Sequence, residues 1–374
     1  MRIFFSAGEA SGDAFGAALL RELQKEVQLD SIQGVGSRLL KSAGAQIVAD
    51  SSTWGAIGIA QSIKMYPRVR RGANAAIRAL KSGPPGVFVP IDFGRMNIPL
   101  SRVAKANGWR VIYFSPPGAW RRDKQGKDLP LVTDEVITPF SWSAEILSRM
   151  GASAHWYGHP IKQMIRETSD DEAKGGSNLE RRGIAVLPGS RRSEIDYILP
   201  LFAEAIRDFP EPAEIAVAAT LDLDEIRARW CRMAPNRDDV FTVGNTHGVL
   251  RRARAALVCS GSATLEAALC LCPHLVAYKV SKLVELEVRL LHRKIPHIAQ
   301  PNILMNREIV PELIQQAATP DSIGSTLRRL LDDDLTREAQ LSAFRELNEI
   351  LGPENAIDRS VELIVEHLRD VGGA

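Results

Sequence analysis

One pattern recurs along this chain and limits what it can fold into. A short apolar run is followed by a turn of glycine, serine or proline, and then by a segment with helical spacing of its apolar residues. The first instance opens with Met1 to Ser6 and turns through Ala7-Gly8-Glu9-Ala10-Ser11-Gly12-Asp13. It continues into a run in which Phe15, Ala18, Leu19 and Leu23 fall on one helical face. The unit returns at Ile32 to Val35, Val87 to Ile91, Val111 to Phe114 and Val136-Ile137, with helical patterns at Arg68 to Leu80 and Ile98 to Ala106. Short apolar strands alternating with helices predict an α/β chain whose parallel sheet is covered on both faces.

The rhythm breaks after His159-Pro160. Residues Glu167 to Arg182 are polar and carry two glycines, which reads as a linker. It then restarts with strands at Ile184 to Leu187, Ile215 to Ala219, Ala256 to Cys259 and Leu275 to Tyr278, and Pro320 to Leu368 reads as mostly helical. The 374 residues therefore divide into a domain over 1–165, a linker over 166–182, a second domain over 183–345 and a helical tail over 346–374. Two Rossmann-like domains imply a ligand beyond the carboxyl ends of the strands, in a cleft where the two face each other.

Composition removes several classes. Lys and Arg total 47 against 45 Asp and Glu, so no overall charge draws the chain to nucleic acid. The four cysteines, Cys231, Cys259, Cys270 and Cys272, follow no zinc spacing and read as reduced thiols, which suits the cytoplasm. The start reaches Glu9 and Asp13 without a signal-peptide core, and no apolar run is long enough to span a bilayer. Membrane contact is expected to be peripheral.

The turns carry the chemistry. Ser260-Gly261-Ser262-Ala263-Thr264-Leu265-Glu266 takes a strand into a helix. The open amides there suit a diphosphate, and Glu266 suits ribose hydroxyls; the plainer reading is an acidic residue near a helix start. Gly189-Ser190-Arg191-Arg192-Ser193-Glu194 repeats the arrangement with guanidinium groups suited to phosphate, or else a solvated Arg pair with a Ser–Glu cap. The Gly8 to Asp13 turn lacks the Lys of a P-loop and the spacing of a dinucleotide fingerprint. Glu9 and Asp13 suit a hydroxyl-rich ligand in the cleft, with Asp13 equally readable as a partner of the helix dipole. Asp92, at the end of an apolar strand, is placed to take a proton from a hydroxyl, or else shapes a turn before Phe93-Gly94. His159, before Pro160, is expected to face the cleft; His155 and His247 show no partner at metal spacing, and a lone histidine reads as structural rather than catalytic.

Five segments, SAGEASGD, LPGSRRSEI, SGSATLEAAL, VAYKVS and PNILMNREIVPEL, stand in an order and at intervals that resemble the lipid-A-disaccharide synthase family. The likeness spans about Ile3 to Leu313. It implies the GT-B architecture, with C-terminal helices packing back toward the first domain. It implies an inverting transfer from UDP-2,3-diacylglucosamine to 2,3-diacylglucosamine 1-phosphate (lipid X), without a cofactor or a catalytic metal. The enzyme would be cytoplasmic and peripheral on the inner-membrane surface. By the same resemblance Asp92 is the general base, Glu9 organises its surroundings and Arg191 meets the departing diphosphate. Gly189, Ser190, Gly261, Ser262, Ala263, Thr264, Glu266 and Asn302 lie on the donor side; Gly8, Ser11, Asp13, Asn97 and Ser115 lie on the acceptor side.

The chain departs from the family pattern in two places. Where relatives read IDAPDFN, it has Ile91-Asp92-Phe93-Gly94-Arg95-Met96-Asn97, and SPSVWAWR becomes Ser115-Pro116-Pro117-Gly118-Ala119-Trp120-Arg121-Arg122. Gly55 to Pro67, usually apolar, carries Gln61, Ser62 and Lys64, and Arg68, Arg70 and Arg71 follow it. These basic residues face anionic lipid, the acceptor phosphate or plain solvent. Leu283 to Arg293 is amphipathic and is expected to face the core. A different acceptor, a UDP-sugar 2-epimerase and a catalytically silent UDP-sugar-binding homologue share the same features.

Overall fold

The structure is a computed structural model and describes residues 1–55, 59–173, 181–281, 284–285 and 296–372. The segment read as amphipathic at Leu283 to Arg293 lies outside the described residues apart from Val284 and Glu285, as do 56–58 and 174–180. The chain forms two units, one of Met1–Met164 with Leu351–Ala374 and one of Ile165–Ile350.

The first unit contains β1 (Arg2–Ala7), α1 (Ala10–Glu26), β2 (Ser31–Gly36), α2 (Arg38–Ser42), β3 (Gln46–Asp50) and α3 (Ile59–Lys81). These are followed by β4 (Val87–Ile91), α4 (Gly94–Ala106), β5 (Arg110–Phe114), α5 (Leu129–Val132), β6 (Glu135–Ile137), α6 (Ser141–Arg149) and β7 (Ala154–His155). The division between units falls inside α7 (Pro160–Ala173), so the first part of the polar stretch read as a linker is helical.

The second unit runs through β8 (Ile184–Leu187), α8 (Arg192–Ala205), β9 (Ala213–Val217), α9 (Leu223–Met233), β10 (Val240–Val243), α10 (Thr246–Arg252), β11 (Ala255–Cys259) and α11 (Ser262–Leu269). After β12 (His274–Tyr278) come α12 (Gln300–Met305), β13 (Glu312–Ile314), α13 (Pro320–Asp332) and α14 (Asp334–Ile350). A last helix, α15 (Ala356–Gly372), belongs to the first unit.

Both sheets are parallel. The first has the order β3-β2-β1-β4-β5-β6-β7 and the second β10-β9-β8-β11-β12-β13. The central strands are predominantly apolar because helices cover both faces. On one face of the first sheet, Ile3, Phe5, Val87 and Val89 pack with Leu19 and Leu23 of α1 and with Ile357, Val361, Ile364 and Leu368 of α15. On the other, Phe4 and Phe88 pack with Ala76 and Leu80 of α3 and Leu100 of α4. In the second unit, Ile184, Val186, Ile215 and Leu257 meet Ile198 and Phe202 of α8, Trp230 of α9 and Leu327 of α13.

The sequence reading of two Rossmann-like α/β domains, with the chain end helical and returning to the first, describes this architecture.

Candidate functional site

In a parallel sheet, the chain leaves a ligand crevice where successive connections run to opposite faces, beyond the carboxyl ends of the two strands at that point. In the first unit these strands are β1 and β4, paired with Ala7 opposite Ile91. The residues that follow them are Gly8-Glu9 and Asp92-Phe93. Asp92 and Phe93 both adopt left-handed backbone conformations, with φ of 43° and 45°. Such a turn costs of order 1–3 kcal/mol per residue and persists only where its surroundings hold it.

Those surroundings are visible. The Asp92 amide donates to the Phe114 carbonyl (3.2 Å), and its own carbonyl accepts from the Tyr113 hydroxyl (2.6 Å) and from Asn97 Nδ2 (2.9 Å). Gly8 admits the Phe93 ring so closely that a side-chain carbon there would lie 2.2 Å from it. The Asp92 carboxyl is pushed up to about 6, first by burial and then by the charge of Glu9, against the opposing hydrogen bond from the Phe93 amide. A carboxylate with an affinity for protons near neutral pH is suited to general-base work.

Other residues expected on this side serve the fold. Asn97 is fully buried; its amide nitrogen donates to the Ser6, Ile91 and Asp92 carbonyls and its oxygen accepts from Ser6 Oγ (2.6 Å). Its polar capacity is spent on bracing the β4–α4 turn. Asp13 is 1% exposed and accepts from the Ser37 amide and hydroxyl (2.6 Å each) and the Leu39 amide (2.9 Å). It stands in the first turn of α1, as its helix-dipole reading expected, and it ties that helix to the β2–α2 loop, which neither reading anticipated. Ser11 lies in the first turn of α1, partly exposed. Ser115, with φ 50°, follows β5 and donates its amide to the Ile137 carbonyl (2.7 Å). His159 is buried against Phe15 and Phe140 and driven down to about 3 by burial and by Lys162, so it is a neutral packing residue.

In the second unit the corresponding strands are β8 and β11. After β8, Gly189 has φ 110°, and the Glu194 carboxylate folds back into the turn. One oxygen accepts from the Ser190 (2.9 Å) and Arg191 (3.1 Å) amides, while the other pairs with Arg191 Nη1 at 2.9 Å. The amides read as a phosphate cradle are thus occupied, and the Ser–Glu cap is the correct reading of the loop backbone. The Arg191 side chain is 38% exposed and that of Arg192 78%.

After β11, Gly261 (φ 154°) leads into α11. The Ser262 and Ala263 amides meet no acceptor among the described residues, as first-turn amides of a helix do unless capped. Thr264 is buried; its hydroxyl donates to the Gly261 carbonyl (2.7 Å) and accepts from the Gln300 amide (3.1 Å), so it braces two turns. Asn302 is likewise fully buried. It accepts from the Ile309 and Val310 amides and donates to the Val310 carbonyl and to Glu312, which itself accepts from the Ile298 and Ala299 amides. These bonds brace the α12 turn.

Glu266 remains half-buried and pairs with His247 Nε2 at 2.9 Å, whose Nδ1 lies 3.3 Å from Thr168 Oγ1. Residue spacing offers His247 no partner, because nothing in the local pattern brings α10 beside α11. Glu312 and His247 are residues of these turns that sequence spacing left unassigned.

The architecture and both strand-end sites fall within residues 3–364, which match a family model described as lipid-A-disaccharide synthetase. The chain belongs to that family. It is accordingly a hexosyltransferase of lipid A biosynthesis built on the GT-B plan. A lipid-A-disaccharide synthase of Neisseria meningitidis is 32% identical over 375 residues, covering 97% of each chain. One from Geobacter sulfurreducens is 30% identical over 377 residues, covering 98% of this chain and 97% of its own. Among solved structures, Staphylococcus aureus MnaA with UDP superposes with a TM-score of 0.60 at 15% identity, covering 96% of this chain and 94% of that one. Acinetobacter baumannii MurG gives 0.57 at 14%, covering 98% and 99%. At these identities the structural likeness concerns the fold alone.

Proposed function

We propose that this family member transfers 2,3-diacylglucosamine from UDP to the 6-hydroxyl of 2,3-diacylglucosamine 1-phosphate, giving the β-1′,6-linked disaccharide and UDP. The observation that carries the reading is Asp92, held in a strained turn at the strand-order reversal with its carboxyl raised to about 6. Its carboxylate takes the hydroxyl proton as the acceptor oxygen attacks the donor's anomeric carbon. The bond from that carbon to the diphosphate oxygen breaks, and UDP leaves with the electron pair. Attack from the face opposite the leaving group inverts the centre.

Charge growing on the diphosphate is met by Arg191 and the Ser262 and Ala263 amides, and Glu266, oriented by His247, holds the ribose. The buried residues Asn97, Asp13, Thr264 and Asn302 support these groups from behind.

The chain also docks on an anionic membrane surface through α3 in this reading. Ile63 and Tyr66 are 67% and 62% exposed there, among exposed Lys64, Arg68, Arg70 and Arg71. No helix among the described residues is long and apolar enough to cross a membrane.

The test is incubation of the full chain with UDP-diacylglucosamine and lipid X, with mass spectrometry of the lipid product. Acceptor-dependent UDP release with a disaccharide product supports the transfer. Interconversion of UDP-sugars without acceptor, seen by NMR, replaces it with an epimerase; neither reaction overturns it.

A further inference from the structure

Tyr113 carries a polar group where an apolar one would pack as well. Its side chain is wholly buried, with its ring set among Leu129 of α5, Val136 of β6 and Leu147 of α6. A phenylalanine would fill that space, and taking a hydroxyl out of water costs free energy unless it finds a partner. The partner is the Asp92 carbonyl, 2.6 Å away, reached from β5 across to the end of β4. Asn97 Nδ2 reaches the same oxygen at 2.9 Å from α4.

That carbonyl is one end of a planar trans peptide. The other end is the Phe93 N–H, which points the opposite way. The Phe93 amide gives its hydrogen bond to the Asp92 carboxylate. A grip on the oxygen therefore aims the hydrogen. The grip has work to do because both residues flanking this peptide are left-handed, with φ of 43° and 45°. A half-turn of the peptide would return Phe93 to extended backbone, which an aromatic residue favours. It would also swing the N–H away from the carboxylate. The Asp92 amide is bonded to the Phe114 carbonyl, so the residue is anchored on its other side and this peptide is the part that can turn.

We propose that Tyr113 is a positioning residue for the transfer: its hydroxyl, by holding the Asp92 carbonyl, keeps the Phe93 amide on the carboxylate that takes the acceptor's proton. The role of that carboxylate rests on the transfer reading above. The chain of contacts from hydroxyl to peptide to carboxylate rests on the geometry.

The sign of the effect follows from the neighbours. The charge bearing on the carboxylate is that of Glu9, after β1. Tyr113 is the titratable group that senses it from β5, and burial pushes its phenol far up, so it stays neutral. Arg95, the charged residue in the first turn of α4, is exposed. The Phe93 hydrogen bond favours the ionised carboxyl, so its loss makes Asp92 hold its proton more tightly.

The experiment follows the carboxyl carbon of Asp92 by NMR across pH in the full chain, its signal assigned by its absence in Asp92→Asn. Tyr113→Phe keeps the ring and removes the hydroxyl. In this variant the Asp92 midpoint moves to higher pH, as proton affinity rises about 3–10-fold for one lost hydrogen bond. The acceptor-side pH limb of kcat/KM moves with it, and the donor KM stays unchanged. At neutral pH kcat falls ~10–100-fold as the base loses its aim. Glu9→Gln moves the limb the opposite way, so the two effects separate. A folded Tyr113→Phe whose midpoint has not moved overturns the proposal, whatever stability it has lost. A second measurement uses the unmodified chain with isotope-labelled phenylalanine nitrogens. The Phe93 amide proton shifts downfield as Asp92 ionises, with the same midpoint; an amide blind to that titration also overturns the proposal. A midpoint that moves in Tyr113→Phe while the unmodified chain transfers no sugar supports the positioning and sinks the transfer reading alone.

Discussion

Asp92 couples catalysis to stability through one proton. Its carboxyl is raised from 3.8 to about 6, so the folded protein binds this proton more tightly than the unfolded chain between those values. Stability therefore falls as pH rises through that window, and the full penalty is present above about 6. Activity runs the other way, because the base works ionised. The expected kcat/KM for acceptor rises with pH and levels off above about 6, as measured across buffers of constant ionic strength. Glu9→Gln moves that limb to lower pH by removing the neighbouring negative charge, and Asp92→Asn lowers turnover ~10²–10⁴-fold while flattening the stability profile near pH 5. A limb that stays in place in Glu9→Gln would show that the two acids do not sense each other. The place of this residue was legible in the sequence: an acid after an apolar strand stands at the strand's carboxyl end, and it shapes the turn before Phe93-Gly94. Asn97, Asp13, Thr264 and Asn302 show where that legibility stops. A polar residue in a motif looks alike whether it meets a ligand or a carbonyl, and the partners of Asn302 and Asp13 stand on turns that sequence spacing does not pair.

Helix α3 is the element through which this chain would meet a lipid surface. Burying one aliphatic or aromatic side chain yields ~1.5–3 kcal/mol, and each basic residue near an anionic surface adds ~1 kcal/mol. Co-sedimentation with vesicles containing an anionic lipid is expected for the full chain. It should weaken about 10–100-fold in Ile63→Ser with Tyr66→Ser, and fade in high salt. Binding unaffected by both changes would remove α3 from the account. Strands were the more legible elements: β1, β4, β5, β8, β11 and β12 read directly from apolar runs. The edge strands β3, β7, β10 and β13 did not, because they are short or carry exposed polar positions such as Gln46 and Asp50 in β3. Helices with clear turns before them were found, whereas the continuation of α7 into Glu167 and beyond was hidden by its polar composition.

At the scale of the molecule, α15 is part of the core of the first unit. Ile357, Ile364 and Leu368 are at most 1% exposed and pack among the strands that carry Asp92. Ile364→Ala should cost about 2–5 kcal/mol. Hydrogen exchange should show the loss in β1, β4 and α1, with amides of Ile165–Ile350 little affected. Uniform loss of protection across both units would mean that they unfold as one.

Chain order gives this arrangement a biosynthetic consequence. The second unit is contiguous, so it can close as soon as its own residues leave the ribosome. The first sheet is translated earlier, yet α15, which shields one of its faces, follows the whole second unit in the chain. A growing chain therefore carries a greasy, half-clothed amino-terminal sheet throughout most of its synthesis, and that is the interval in which a holding chaperone would have work to do.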